Sequence, residues 1–140
     1  MKVPHPKAPG LAVGVDEPMV RALVHAFYAK VRLDPLLGPI FNARVANWDE
    51  HLAKLCKFWS SVTLLTGRYK GQPMVVHSAL PDIAGPHFDR WLELFRETAA
   101  EICPSAAAAL FIDRSLRIAS SLTLGIAAHR GAPRSLRRAV

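Results

Sequence analysis

The sequence predicts an all-α domain, and three observations carry that prediction. Apolar residues recur at helical spacing in four long segments of the chain. Those segments are bounded by capping residues, prolines and glycines, the usual start and stop signals of helices. No segment has the alternating pattern of a strand, and no internal repeat is visible. With 140 residues, 51% of them hydrophobic, the chain has the size of one domain with a substantial core.

The N-terminal part predicts a flexible arm followed by a first helix. Residues 1–15 are rich in proline and glycine, so we expect an arm without a core. Asp16 is expected to cap a helix over 17–32, with Pro18 in the first turn, where a missing N–H does no harm. The apolar stripe of this helix consists of Val20, Leu23, Val24, Phe27 and Val31.

A long connection and a second helix follow. Residues 33–47 predict an irregular connection broken by Pro35, Gly38 and Pro39. Asn47 with Glu50 three residues later is typical of a capping box. We therefore expect a second helix over residues 48–66, stopped by Gly67.

The second half of the chain predicts a loop, a short helix and two long helices. The segment PMVVHSAL forms at most two helical turns before Pro81. A third long helix begins at Pro86 and ends at Pro104. Ser105 is expected to cap a last helix of about 24 residues. The predicted buried faces of these two helices contain Phe88, Trp91, Leu92, Phe95, Ala99 and Ile102, and then Phe111, Ile118 and Leu122.

The charge of the chain is concentrated in its C-terminal tail. The net charge is +7, and residues 130–140 contain four arginines and no acid. The rest of the chain has 14 basic and 11 acidic residues, the balance of an ordinary solvated surface. We therefore expect a basic flexible tail and no nucleic-acid partner; the alternative is a tail that contacts RNA, a membrane surface or an acidic partner.

The sequence lacks the signals of a membrane-spanning or secreted protein and the motifs of several metal, redox and hydrolase sites. No run of about 18 apolar residues occurs, so no membrane association is expected, and the proline-rich N-terminus does not resemble a signal peptide. We expect a cytoplasmic protein in which Cys56 and Cys103 are free thiols. The absence of Cys-x-x-Cys disfavours zinc ribbons, thioredoxin-like sites and covalent c-type haem attachment. No HExxH motif or nucleophile elbow supports a zinc hydrolase or a serine hydrolase.

Four polar rings lie in otherwise apolar surroundings. Tyr28, His51 and Trp91 fall on apolar helix faces, and His77 stands between two valines and the sequence Ser-Ala-Leu-Pro. A buried polar ring costs free energy unless a partner satisfies it. Each ring alone is explained by ordinary core packing. Together they fit a haem pocket, in which the neutral imidazole of His77 is the strong iron ligand.

Three stretches carry a family resemblance. FYAKVRLDPLLGPIF (27–41), NWDEHLAKLCKFWSSVTLLTGRYKGQPMVVHSALP (47–81) and HFDRWLELFRET (87–98) are similar to the truncated haemoglobins of the third group. The glycine pairs typical of the other truncated groups are absent. The resemblance implies a domain over residues 16–129 built as a 2-over-2 helical sandwich, with two antiparallel helix pairs enclosing a haem b.

The same resemblance implies roles for individual residues. His77 is expected to be the proximal iron ligand, with Tyr28 and Trp91 facing the bound ligand and His51 lining the pocket as a gate. The expected haem contacts are Phe41, Leu55, Met74 and Phe88, together with Lys54 at a propionate.

Three functions remain open at this point. The first is a haem protein that binds O₂, NO or CO and has NO dioxygenase-like or peroxidase-like activity, supported by an unidentified reductase. The second is a non-catalytic O₂ binder, store or sensor, and the third is a helical protein without haem. Two hydrogen-bond donors beside the ligand favour chemistry over carriage, because they would hold O₂ tightly. A monomer or weak dimer is expected.

Overall fold

All regular structure in the described part of the chain is helical, as predicted. The computed structural model describes residues 4–67 and 85–129, and side chains only through residue 121. Its helices are α1 (Pro9–Ala12), α2 (Glu17–Leu33), α3 (Gly38–Arg44), α4 (Trp48–Leu64), α5 (Gly85–Ile102) and α6 (Ser105–His129). None of the helices within these ranges is both long and apolar enough to cross a membrane.

Helix α2 is the central element of the fold. It packs against α4 on one side and α5 on another, and α5 also packs against α6. All five residues of the predicted α2 stripe are at most 1% exposed. Asp16 caps the helix as predicted, because its Oδ1 accepts a hydrogen bond of 2.9 Å from the Met19 N–H. The predicted arrangement of packed helix pairs is therefore confirmed.

The connection over residues 33–47 is more ordered than the sequence predicts. It contains α3, in which Pro39 lies in the first turn and therefore does not interrupt the hydrogen bonding of the helix. Gly38 allows the close approach of α3 to the end of α2. A Cβ atom at this position would lie 2.7 Å from the Arg32 carbonyl oxygen.

Helix α4 begins as predicted and ends two residues early. The Asn47 Oδ1 accepts a hydrogen bond of 3.1 Å from the Glu50 N–H, which confirms the N-terminal cap. The helix stops at Leu64 because Leu65 adopts a left-handed conformation with φ of 52°. Gly67, the predicted stop, also has a positive φ of 69°.

The buried face of α5 is rotated relative to the predicted one. Phe95 and Ala99 are fully buried as predicted, but Ile102 is 39% exposed, so its assignment to the core was wrong. Leu94 and Thr98 are buried instead, because α2 and α6 both pack against this helix. The Thr98 hydroxyl donates a hydrogen bond of 2.7 Å to the Leu94 carbonyl and so tolerates burial.

Residues 4–15 contribute to the core, in contrast to the expected coreless arm. Helix α1 packs against α4 and α6, and Ala8 and Val15 are each 3% exposed. The His5 N–H donates a hydrogen bond of 3.0 Å to the Leu64 carbonyl. Gly10 lies so close to α4 that a Cβ atom would be 2.6 Å from the Thr63 carbonyl oxygen. The predicted basic tail, residues 130–140, lies outside the described residues.

Candidate functional site

An aromatic pocket surrounds the ring of Tyr28 on α2. The Phe27 ring lies 4.7 Å from the Tyr28 ring, centroid to centroid. The rings of Phe41 and Trp48 each lie at 6.1 Å, and the imidazole of His51 lies at 6.2 Å in an edge-to-face arrangement. Helices α2, α3 and α4 thus each contribute a ring around one phenol. Apolar rings around a few convergent polar groups are typical of the lining of cofactor pockets.

Trp91 closes the α5 side of this pocket. Its indole meets the Phe27 ring edge-on at 5.3 Å and stacks on the Phe95 ring at 5.5 Å with 12° between the planes. Phe95 stacks in turn on Trp59 at 5.0 Å and 18°. Because three successive rings lie nearly parallel, this stacking restrains the tilt of the Trp91 ring plane.

The Tyr28 phenol is a protonated hydrogen-bond donor at neutral pH. Its side chain is buried, with 4% of the residue exposed. Burial raises the pKa of Tyr28 to about 12, and hydrogen bonding with the Trp91 side chain offsets part of that rise. The indole can only donate, so the phenol oxygen accepts and its own proton remains available for another acceptor.

Trp48 is a pocket residue that the sequence analysis did not identify. Its ring lies 5.4 Å from the His51 imidazole, and the Arg32 guanidinium carbon lies 4.7 Å from its ring centroid. The Arg32–Trp48 contact is a cation–π interaction between α2 and α4. The spacing of three residues between Trp48 and His51 places them on one helix face, a signal that the sequence did contain.

An ion pair between a buried carboxylate and a partly exposed guanidinium on α5 was also missed. The Arg90 Nε donates a hydrogen bond of 2.7 Å to Asp34 Oδ1, and the Asp34 side chain is only 2% exposed. The two residues are 56 positions apart, so local sequence patterns carry no sign of the pair.

The remaining predicted site residues divide into three groups. Phe41 and Leu55 are partly buried against the core, and Phe88 is partly buried near the start of α5. Lys54 is exposed, with its Nζ 3.8 Å from Glu50 Oε1. The predicted iron ligand and one predicted haem contact lie outside the described residues; these are His77 and Met74.

The described thiols and other possible metal ligands do not form a further reactive or metal-binding site. Cys56 and Cys103 are free, as predicted. Burial raises the pKa of each thiol, which keeps both in the unreactive neutral form. Among the side chains described in 4–67 and 85–121, no three histidine, cysteine or acidic groups lie so that they could hold a metal ion.

Comparison with known proteins identifies the class. The family model described as bacterial-like globin matches residues 12–115. The chain therefore belongs to the bacterial-like globins, and this family implies a haem cofactor.

A similar curated protein and a similar solved structure define the subgroup. The group 3 truncated hemoglobin ctb of Campylobacter jejuni is 36% identical over 110 residues, which cover 76% of this chain and 87% of that protein. The crystal structure of group III truncated hemoglobin from Campylobacter jejuni superposes with a TM-score of 0.76 at 34% identity, covering 80% of this chain and 91% of that one. Within the family, the chain is thus a truncated haemoglobin of the third group.

Proposed function

We propose that this protein holds a haem b between His77, as the proximal iron ligand, and a distal group formed by Tyr28, His51 and Trp91. In this proposal it binds O₂ and other diatomic ligands and promotes chemistry on them. One observation carries the proposal: a buried phenol, kept protonated by a pKa of about 12, lies beside an indole N–H in a pocket of aromatic rings. The setting we infer is a cytoplasmic monomer or weak dimer.

The described side chains suit a flat apolar cofactor. Phe41 and Leu55 offer partly buried apolar surface, and Phe88 does so from α5. Met74 is inferred to add a further apolar contact. Among the described residues, Lys54 pairs with the exposed Glu50 at 3.8 Å, so exchanging this partner for a haem propionate would cost little. The haem, when bound, supplies the iron that binds the diatomic ligand and exchanges electrons with it.

The chain itself supplies directed hydrogen bonds. A haem would give its bound O₂ partial negative charge, and a donor aimed at such a charged acceptor contributes about 1.5–3 kcal/mol. That range corresponds to roughly one to two decades in the dissociation rate, at about 1.4 kcal/mol per decade. Tyr28 is inferred to provide the hydrogen bond, and Trp91 to orient the phenol or to add a second one.

Tight retention of O₂ favours reaction over carriage. With one electron, O₂ and NO combine to give nitrate, so sustained turnover needs an electron donor such as a reductase. Donors in the same positions would stabilise the negative charge that develops when an O–O bond of a peroxide breaks. His51, partly buried beside Tyr28, is placed to move a proton or to control entry.

Haem binding is tested by absorbance spectroscopy of the purified protein. We expect a Soret band that is strongly reduced in His77→Ala and partly restored by added imidazole. His25→Ala is the matched control, because His25 is an exposed histidine on α2. A normal spectrum and normal haem content in His77→Ala would refute the ligand assignment.

The chemistry is tested by mixing the O₂-loaded ferrous protein with NO. Nitrate formed at one equivalent per haem, and repeatedly in the presence of a reductant, is the expected result. Simple displacement of O₂ without nitrate, together with no consumption of peroxide, would instead identify a non-catalytic O₂ binder.

A further inference from the structure

Two ion-pair groups of different character join α2 to α5. In one, buried Asp34 pairs with Arg90 at 2.7 Å. In the other, Lys30 reaches the exposed Glu97 and Glu101 at 2.8 and 2.7 Å. The difference lies in the carboxylates: Glu97 and Glu101 are screened by solvent, so their pairs contribute little, whereas Asp34 is buried and holds the partly exposed Arg90 in a defined position.

Asp34 uses both carboxylate oxygens. Its Oδ2 accepts hydrogen bonds of 3.1 and 3.0 Å from the backbone N–H groups of Leu36 and Leu37. Its Oδ1 accepts from Arg90, and the same guanidinium also pairs with Glu93 one helical turn later on α5. The carboxylate therefore links a rigid corner, between α2 and α3, to the first turns of α5.

The position of this link relates it to the pocket. Arg90 directly precedes Trp91 in sequence, and Asp34 follows Tyr28 by six residues, or about 9 Å along the helix axis. Glu97 lies about 9 Å along α5 on the other side of Trp91 by the same rise per residue. Among the described ion pairs between α5 and the α2 side, the one between Asp34 and Arg90 is thus the nearest in sequence to Trp91.

We propose that Asp34 and Arg90 form a positioning pair that fixes the Trp91 indole against the Tyr28 phenol and thereby sets how strongly the pocket favours O₂ over CO. This inference rests on the proposed function, in which Tyr28 and Trp91 face the ligand. In this proposal, breaking the pair removes one restraint on α5 near Trp91, and a hydrogen bond loses most of its strength when its alignment is lost. Neither Asp34 nor Arg90 touches the ligand in this mechanism.

The test compares three variants of the haem-loaded protein. Arg90→Met removes the positive charge and the hydrogen-bond donors. Arg90→Lys keeps the charge but lacks the planar guanidinium with its several donors. Lys30→Met removes the ion pairs from Lys30 to Glu97 and Glu101. The measurements are O₂ dissociation, CO dissociation and the infrared C–O stretch of the CO complex, which reports the field of nearby donors.

We expect Arg90→Met to speed O₂ dissociation about threefold to tenfold, because one hydrogen bond to the ligand becomes partly misaligned and weaker. CO dissociation should change less, and the C–O band should broaden and shift to higher frequency. Arg90→Lys should recover part of each effect, while Lys30→Met should leave both the O₂-to-CO ratio and the band unchanged. If Arg90→Met does not fold, Asp34→Asn serves instead, because asparagine retains the backbone hydrogen bonds at the corner.

The experiment separates failure of the positioning role from failure of the proposed function. If Arg90→Met alters the O₂-to-CO ratio and the C–O band no more than Lys30→Met, while Tyr28→Phe alters both, the positioning role is refuted and the proposed function stands. If Tyr28→Phe also leaves the ratio and the band unchanged, the distal hydrogen bond is refuted and the positioning role falls with it.

Discussion

Replacing Tyr28 by phenylalanine isolates the hydroxyl that we propose contacts the ligand. Phenylalanine keeps the ring, so the contacts at 4.7 Å to Phe27 and 6.1 Å to Phe41 can remain. The lost donor is worth about 1.5–3 kcal/mol toward a partly charged acceptor. The Trp91 N–H no longer donates to the phenol in this variant and becomes available to the ligand. We therefore expect the low end of that range, about a tenfold faster O₂ dissociation.

The comparison with CO separates electrostatics from packing. CO carries much less negative charge on its oxygen than bound O₂, so its dissociation should change much less in Tyr28→Phe. Trp91→Phe should also speed O₂ release, because the phenol loses the indole that orients it. The two substitutions act on one hydrogen-bonded unit, so the double variant should fall short of the product of the single effects.

Stopped-flow dissociation of O₂ and CO from the wild type, both single variants and the double variant provides the measurement. Phe41→Leu is the packing control, because it changes the ring beside Tyr28 without removing a donor. Equal changes for O₂ and CO in Tyr28→Phe would refute the hydrogen-bond mechanism and leave Tyr28 as a packing residue.

Three further predictions concern gating, acid stability and the N-terminal segment. His51→Leu should change ligand association rates more than haem retention; a low-spin ferrous spectrum lost in this variant would show iron coordination instead. Burial alone would raise the pKa of Asp34, but hydrogen bonds from Leu37, Arg90 and Leu36 lower it. Its contribution to stability is therefore complete above about pH 4 and lost as the pH falls through the lowered pKa, so acid titration of Asp34→Asn should show a flatter loss of stability. Gly10→Ala should lower the free energy of unfolding by about 1–3 kcal/mol in denaturant titration, because the added Cβ would lie 2.6 Å from a carbonyl oxygen of α4. An unchanged free energy of unfolding would argue against the packing of α1 on α4.

Residue spacing and capping patterns predicted those helix ends and faces that depend on neighbouring residues in the chain. The caps at Asp16 and Asn47 are bonds to backbone groups three residues away, so spacing alone predicts them. Where tertiary contacts compete, the same rules failed. Pro39 suggests a break, yet it lies in the first turn of α3, and Ile102 continues an apolar pattern that the packing of α2 and α6 leaves exposed.

The sequence by itself determined the helical class, the family resemblance and the types of ring placed on the inner faces of α2, α4 and α5. Only the tertiary structure decided that Asp34 pairs with Arg90 and that Arg32 covers Trp48. Helical periodicity can be recognised from the sequence because the apolar pattern repeats every three or four residues. A carboxylate and a guanidinium on different helices leave no such repeat, and their pairing depends on the burial and separation that the packed helices impose.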